Sequence, residues 1–96
     1  MNLDDKISEF ISRRFPHEDK WLNGNCYWFA LILCEAFSLS LYYLEIENHF
    51  IAKDEATGHY YDWSGRIGLT EKPISWSDLS KRDDLLADRI IRDCVL

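Results

Sequence analysis

A chain of 96 residues, 47% hydrophobic and 15% aromatic, has enough apolar material for one compact domain around one core, which excludes an intrinsically disordered chain and leaves no room for a second domain. Its formal charge of -6, with the basic residues scattered among acidic neighbours, argues against the basic stripe that nucleic-acid binding requires. Three cysteines without CxxC spacing form neither a disulfide framework nor a zinc ribbon, and point to a reducing compartment.

Taken in chain order, Leu3, Ile7, Phe10, Ile11 and Phe15 recur at helical spacing, and Asp4-Asp5 falls in the first turn, where negative charge complements the helix dipole. An amphipathic helix ending before Pro16 is expected. Pro16 to Asn25 (PHEDKWLNGN) is polar and reads as a loop, with Trp21 and Leu22 tucked beneath it and His17 exposed. Asn25 suits an N-cap, and the CYWFALILCEAF that follows is apolar around almost its whole circumference. That predicts a helix buried in the middle of the domain, with Cys26 as its first residue and Cys34 packed in the core.

This apolar stretch falls far short of the roughly 20 residues of a membrane helix and contains Glu35. The acidic start Met1-Asn2-Leu3-Asp4-Asp5 has no apolar h-region after it, so no secretory signal is visible. The expectation is a soluble, cytoplasmic protein with no membrane partner.

Ser38 to Ser40 break the helix, and SLYYLEI reads as a strand. HFIAK and HYYDW are two further strands, joined through Asp54-Glu55-Ala56-Thr57-Gly58, and Ser64-Gly65 closes the last of them. A four-residue loop from Asp54 to Thr57 would set Lys53 opposite Gly58 and, counting back, His49 directly opposite Asp62. Their β-carbons would then lie roughly 4.5–5.5 Å apart on one face. Beyond Pro73, Ile74-Ser75-Trp76-Ser77-Asp78-Leu79 suggests a capped helical turn. Leu85, Leu86, Ile90, Ile91 and Cys94 mark an amphipathic helix from Asp83 to Val95, with Cys94 in the core. The fold class expected is α+β: a central buried helix packed on a short antiparallel sheet, with N- and C-terminal helices.

Three residues in this layout carry chemistry. A thiol attacks as thiolate, and the first turn of a helix favours that anion through its unpaired N–H groups and dipole, which is the position of Cys26. Gly24 and Asn25 before it permit a close substrate approach to backbone donors, to which Asn23 or Asn25 adds a side-chain donor for an oxyanion. Trp63 is placed beside the substrate. His49 is the imidazole that takes and returns the proton, and Asp62 the carboxylate that fixes its tautomer. His59 is the competing imidazole, but it faces away from Asp62 in this register.

Gly24-Asn25-Cys26-Tyr27-Trp28-Phe29-Ala30, followed by Asn48-His49-Phe50 opening a strand and Tyr60-Tyr61-Asp62-Trp63 ending the next, resembles the core of transglutaminase-like and other papain-like cysteine enzymes. The resemblance runs from about Asn23 to Trp63. It implies Cys26 as nucleophile, His49 as general base and acid and Asp62 as orienter. The activity it implies is that of a small hydrolase or acyltransferase acting on an amide, thioester or isopeptide-type carbonyl of a protein or peptide. The sequence has no evident counterpart of the glutamine that completes the oxyanion hole in papain proper, and no second substrate-binding lobe.

Plainer readings stand beside these. Cys26 is also what an inert buried cysteine looks like, His49 a half-buried strand histidine, and Asp62 the cap of a turn into Ser64-Gly65. Tyr27, Trp28, Phe29, Tyr42, Tyr43, Tyr60, Tyr61 and Trp63 serve a small core as readily as a substrate groove. On this view the chain is a catalytically inactive papain-like fold acting as an acidic protein-binding or inhibitor module. No cofactor motif is present, and Cys26, His49 and Asp62 lack the short ligand pair that anchors a metal.

Overall fold

A computed structural model describes residues 2–15 and 26–94. The loop expected over Pro16–Asn25, with His17, Trp21, Leu22 and the Asn25 cap, lies outside the described residues, as does the side chain of Cys94. The N-terminal apolar repeat forms α1 (Leu3–Arg14), capped by Asn2, whose Oδ1 accepts the Asp5 N–H at 2.9 Å. Ile7 and Ile11 are its buried stripe, one helical turn apart. The helix closes with a bond from the Phe15 N–H to the Ile11 carbonyl.

The central helix α2 (Cys26–Phe37) has the bounds the sequence predicts, but its circumference is not wholly buried. Cys26, Phe29, Ala30 and Leu33 face inward, while Trp28 is 45% and Ile32 39% exposed. The sheet takes one side of the helix. The 3.6-residue period carries Trp28, Ile32, Glu35 and Ala36 to the other side.

That sheet contains β1 (Ser40–Leu44), β2 (His49–Lys53), β3 (Tyr60–Asp62), β4 (Gly65–Ile67) and β5 (Ile74–Ser75), all antiparallel, in the order β4-β3-β2-β1-β5. The SLYYLEI segment leaves the sheet at Leu44, because Glu45 to Asn48 turn the chain and Asn48 adopts φ 50°. Ser64-Gly65 does not end the sheet. Trp63 and Ser64 form a tight turn that Gly65 leaves at φ +95°, a conformation glycine adopts without strain, and the chain pairs again as β4. The Ile74-to-Leu79 turn becomes β5 followed by α3 (Trp76–Arg82), and α4 (Asp84–Cys94) runs over nearly the expected tail. Ser75 precedes α3 without a capping side-chain bond. The N–H of Leu86 in the first turn of α4 is instead taken by Asp83 at 3.0 Å.

Two apolar clusters hold these layers together, and α2 contributes to both. Cys26 and Ala30 pack with Tyr43 and Phe50 of the sheet and with Trp76, Leu79 and Ala87 of the C-terminal helices. Phe50 is the hub of an aromatic group, with ring centroids 4.8 Å from Trp76, 4.9 Å from Tyr43 and 5.0 Å from Tyr27. Phe29 and Leu33 pack with Ile7, Ile11, Ala52 and Tyr61 in the second cluster, where Cys34 also lies. Burial, with a smaller effect of Glu35, pushes the Cys34 thiol up to about 12, as suits a packing residue. The Tyr61 hydroxyl donates to Asp4, which also receives Arg66 at 3.2 Å, so α1 is pinned to two strands. Among the described residues no helix is long and apolar enough to cross a membrane.

Leu33 is fully buried where α2 meets α1 and the sheet. Leu33→Ala is expected to cost about 2–5 kcal/mol of unfolding free energy, the range for a buried leucine whose cavity collapses only in part. Urea denaturation measures it, and a loss below about 1 kcal/mol would contradict this account of the core.

Candidate active site

The hairpin register differs from the expected one by two residues. Lys53 pairs with Tyr60 rather than Gly58, and Ala52 with Tyr61. The loop is longer than the four residues counted from the sequence because Asp54 closes it from within. Its N–H bonds the His59 carbonyl at 2.9 Å and its carbonyl accepts the Gly58 N–H at 2.7 Å. Its carboxylate takes the Ala56 N–H and the Thr57 hydroxyl. Gly58, at φ +79°, makes the return.

His49 is therefore not directly opposite Asp62. A slip of two preserves the face of every side chain, where a slip of one would reverse it. The two become diagonal neighbours, a separation that long side chains bridge. His49 Nε2 and Asp62 Oδ2 lie 3.0 Å apart.

Each member of this pair is further constrained. Asp62 Oδ1 accepts both the N–H and the hydroxyl of Ser64 at 2.7 Å, which turns Oδ2 toward the imidazole. With Nε2 committed to Asp62, Nδ1 is the nitrogen left for the Cys26 thiol, and that thiol is a hydrogen-bond partner of His49. Thiol, imidazole and carboxylate are thus bonded in series. All three are buried, with Cys26 3%, His49 9% and Asp62 8% exposed.

Burial would by itself pull the His49 imidazole down. The bonds to Asp62 and Cys26, with their charges, outweigh it and lift the imidazole to about 9. Burial would likewise raise Asp62. The hydrogen bonds from His49 and from the Ser64 hydroxyl and N–H instead hold its carboxyl below the ordinary carboxylate range. At neutral pH both directions favour an imidazolium resting on a carboxylate.

Of the other residues singled out in the sequence, Asn23 and Asn25, proposed for the oxyanion, lie outside the described residues, as does Gly24. Trp63 adjoins Asp62, but its indole N–H is spent on the Phe15 carbonyl at 2.9 Å and its ring packs against the second cluster. With Ser8, Ile11, Ser12, Ser64 and Gly65 it lines a shallow depression of about 280 Å³. His59 belongs to the hairpin loop. The sequence offers Asp62 as the cap of a turn into Ser64-Gly65, and the Ser64 N–H does bond Asp62 Oδ1; what it left unnamed is the Ser64 hydroxyl, bonded to the same oxygen. Among the described residues no group of three or more His, Cys, Asp or Glu is arranged to hold a metal.

Comparison with protein-family models, with curated proteins and with solved structures finds no match to this chain.

The pair makes stability depend on pH in a definite sense. Because the folded value of His49 is above its unfolded value of about 6.5, its contribution is complete below about 6.5 and is lost as pH rises through about 9. Asp62 is depressed from 3.8, so its contribution is present above that value and is lost as pH falls through the folded one. Asp62→Asn should therefore lower unfolding free energy by about 2 kcal/mol at pH 5, and the gap should narrow toward pH 9 and below pH 4. Urea unfolding across this range checks it, and a pH-independent difference would contradict the coupling.

Proposed function

We propose that the chain is a small papain-like or transglutaminase-like cysteine hydrolase or acyltransferase acting on an amide, thioester or isopeptide-type carbonyl of a protein or peptide. The observation that carries the reading is the series Cys26, His49, Asp62, with the cysteine opening a helix and the imidazole bonded on both sides. A buried cysteine alone is ordinarily inert. What supports chemistry here is the raised imidazole beside it, whose positive charge at neutral pH favours Cys26 as thiolate.

In this reading the Cys26 proton already rests on the His49 ring in a thiolate–imidazolium pair, and the thiolate attacks the carbonyl carbon. The resulting oxyanion is met by backbone N–H groups of the first turn of α2, with Asn23 and Asn25 as proposed further donors. The imidazolium then protonates the departing amine or thiol, leaving a thioester on Cys26. His49 next removes a proton from an entering water or amine, which attacks the thioester and restores the thiolate–imidazolium pair. Asp62 holds the ring in place and stabilises its charge throughout, as Ser64 holds Asp62.

One observation favours the second reading, a non-catalytic papain-like binding module. Trp28, Leu31, Ile32, Glu35 and Ala36 line a shallow, mainly apolar depression of about 530 Å³ on the outer side of α2. On either reading a reducing, cytoplasmic setting suits the free thiols.

Iodoacetamide, small and uncharged, separates the two readings. Cys26 should alkylate at pH 6 at least about tenfold faster than a free peptide thiol, with little further gain at pH 8.5. His49→Ala should remove that advantage and Asp62→Ala should reduce it. If Cys26 labels as an ordinary thiol in all three proteins, or not at all, the enzyme reading loses its basis.

A further inference from the structure

The turn that delivers His49 to the site gains its place from polar bonds rather than from apolar burial. It spans residues 45–48, between β1 and β2. Ile46 is 85% exposed, and Glu45, Glu47 and Asn48 are exposed as well. Two ties fix it. At its end the Tyr43 hydroxyl donates to Asn48 Oδ1 at 2.5 Å. At its middle Glu71 reaches in from the segment that joins β4 to β5, with Oε1 accepting the N–H of Ile46 at 2.9 Å and Oε2 the N–H of Glu47 at 3.1 Å.

This second tie is unusual for its setting. β4 and β5 are the opposite edges of the sheet, so residues 68–73 travel from one edge to the other, and Glu71 meets the β1–β2 turn on the way. Both carboxylate oxygens are used on successive backbone amides, the arrangement by which turns bind anions. The clamp also brings a further acidic residue to a turn that already contains Glu45 and Glu47, in a chain at -6. Thr70 adds a longer bond, 3.4 Å, from its hydroxyl to Glu47.

We propose that Glu71 is a positioning residue for His49: by clamping the Ile46 and Glu47 amides it sets where β2 begins, and so holds the imidazole between Cys26 and Asp62. The inference rests on reading those three residues as an active unit. His49 is only two residues beyond Glu47, and a shift of about 1 Å in an imidazole is enough to cost a large factor in rate. The clamp needs two acceptors. A glutamine at this position keeps the length and one acceptor but turns an N–H₂ toward the other amide.

The test combines amide hydrogen exchange, the pH–rate profile of Cys26 alkylation and the His49 titration midpoint by NMR, in wild type, Glu71→Gln and Glu71→Ala. In wild type the Ile46 and Glu47 amides should be protected despite the exposure of their turn. Glu71→Ala should slow alkylation at pH 6 about tenfold and move the His49 midpoint down toward 6.5, with Glu71→Gln between it and wild type. The proposal is overturned if those two amides exchange at unstructured rates in wild type, or if both variants keep the rate within about twofold and the midpoint unchanged. Should Glu71→Ala not fold, the glutamine variant and the wild-type exchange decide. If wild-type Cys26 reacts as a free thiol while Glu71→Ala still moves the His49 midpoint, the catalytic reading fails and the positioning role stands.

Discussion

A carboxylate and an imidazole, each about nine-tenths enclosed and 3.0 Å apart, set the terms for the rest of this small domain. Removing two such groups from water costs several kcal/mol apiece, and their mutual attraction repays this only when the remaining lone pairs are also satisfied. Asp62 meets that condition through the N–H and hydroxyl of Ser64, both made available by the tight turn into Gly65. His49 meets it through Cys26. The hairpin register, the β3–β4 turn and the start of α2 are therefore conditions on one hydrogen-bonded series, and a fault in any of them leaves a buried polar group unpaired.

The helix that brings the thiol is also the element on which both core clusters depend. Ala30 joins Cys26 among the aromatic rings around Phe50, while Phe29 and Leu33, on the same face, join α1 to Tyr61. This double use fixes the rotation of α2 about its axis. A helix held in two clusters cannot turn its first residue away from His49 without opening one of them. Rigidity at the thiol thus follows from packing that extends some 10 Å along the helix, given a rise of about 1.5 Å per residue.

How far the sequence revealed this varies with the length over which a signal acts. The twelve residues of α2 and the five of β2 were legible to the residue, because a long apolar run and a compact HFIAK segment contain their own boundaries. The full burial expected of α2 was wrong, since composition around a helix says how apolar it is and not how many neighbours cover it. β4 and β5, three and two residues long, have no periodicity to read and exist only through their partners. The register missed by two because Asp54 lengthened its loop through side-chain bonds that a count of turn residues does not include. The contact between His49 and Asp62 survived that error because two is the period of a strand. Glu71, bonded to amides 24 and 25 positions away, leaves no local trace at all.

The central claim is that at neutral pH His49 is an imidazolium held between Cys26 and Asp62. Two-bond proton–nitrogen correlation NMR of the histidine rings reads this directly. At pH 7 the account predicts both ring nitrogens of His49 protonated, with the Nε2 proton shifted downfield by its bond to Asp62. A neutral His49 ring at pH 7, with one nitrogen bare, would contradict it.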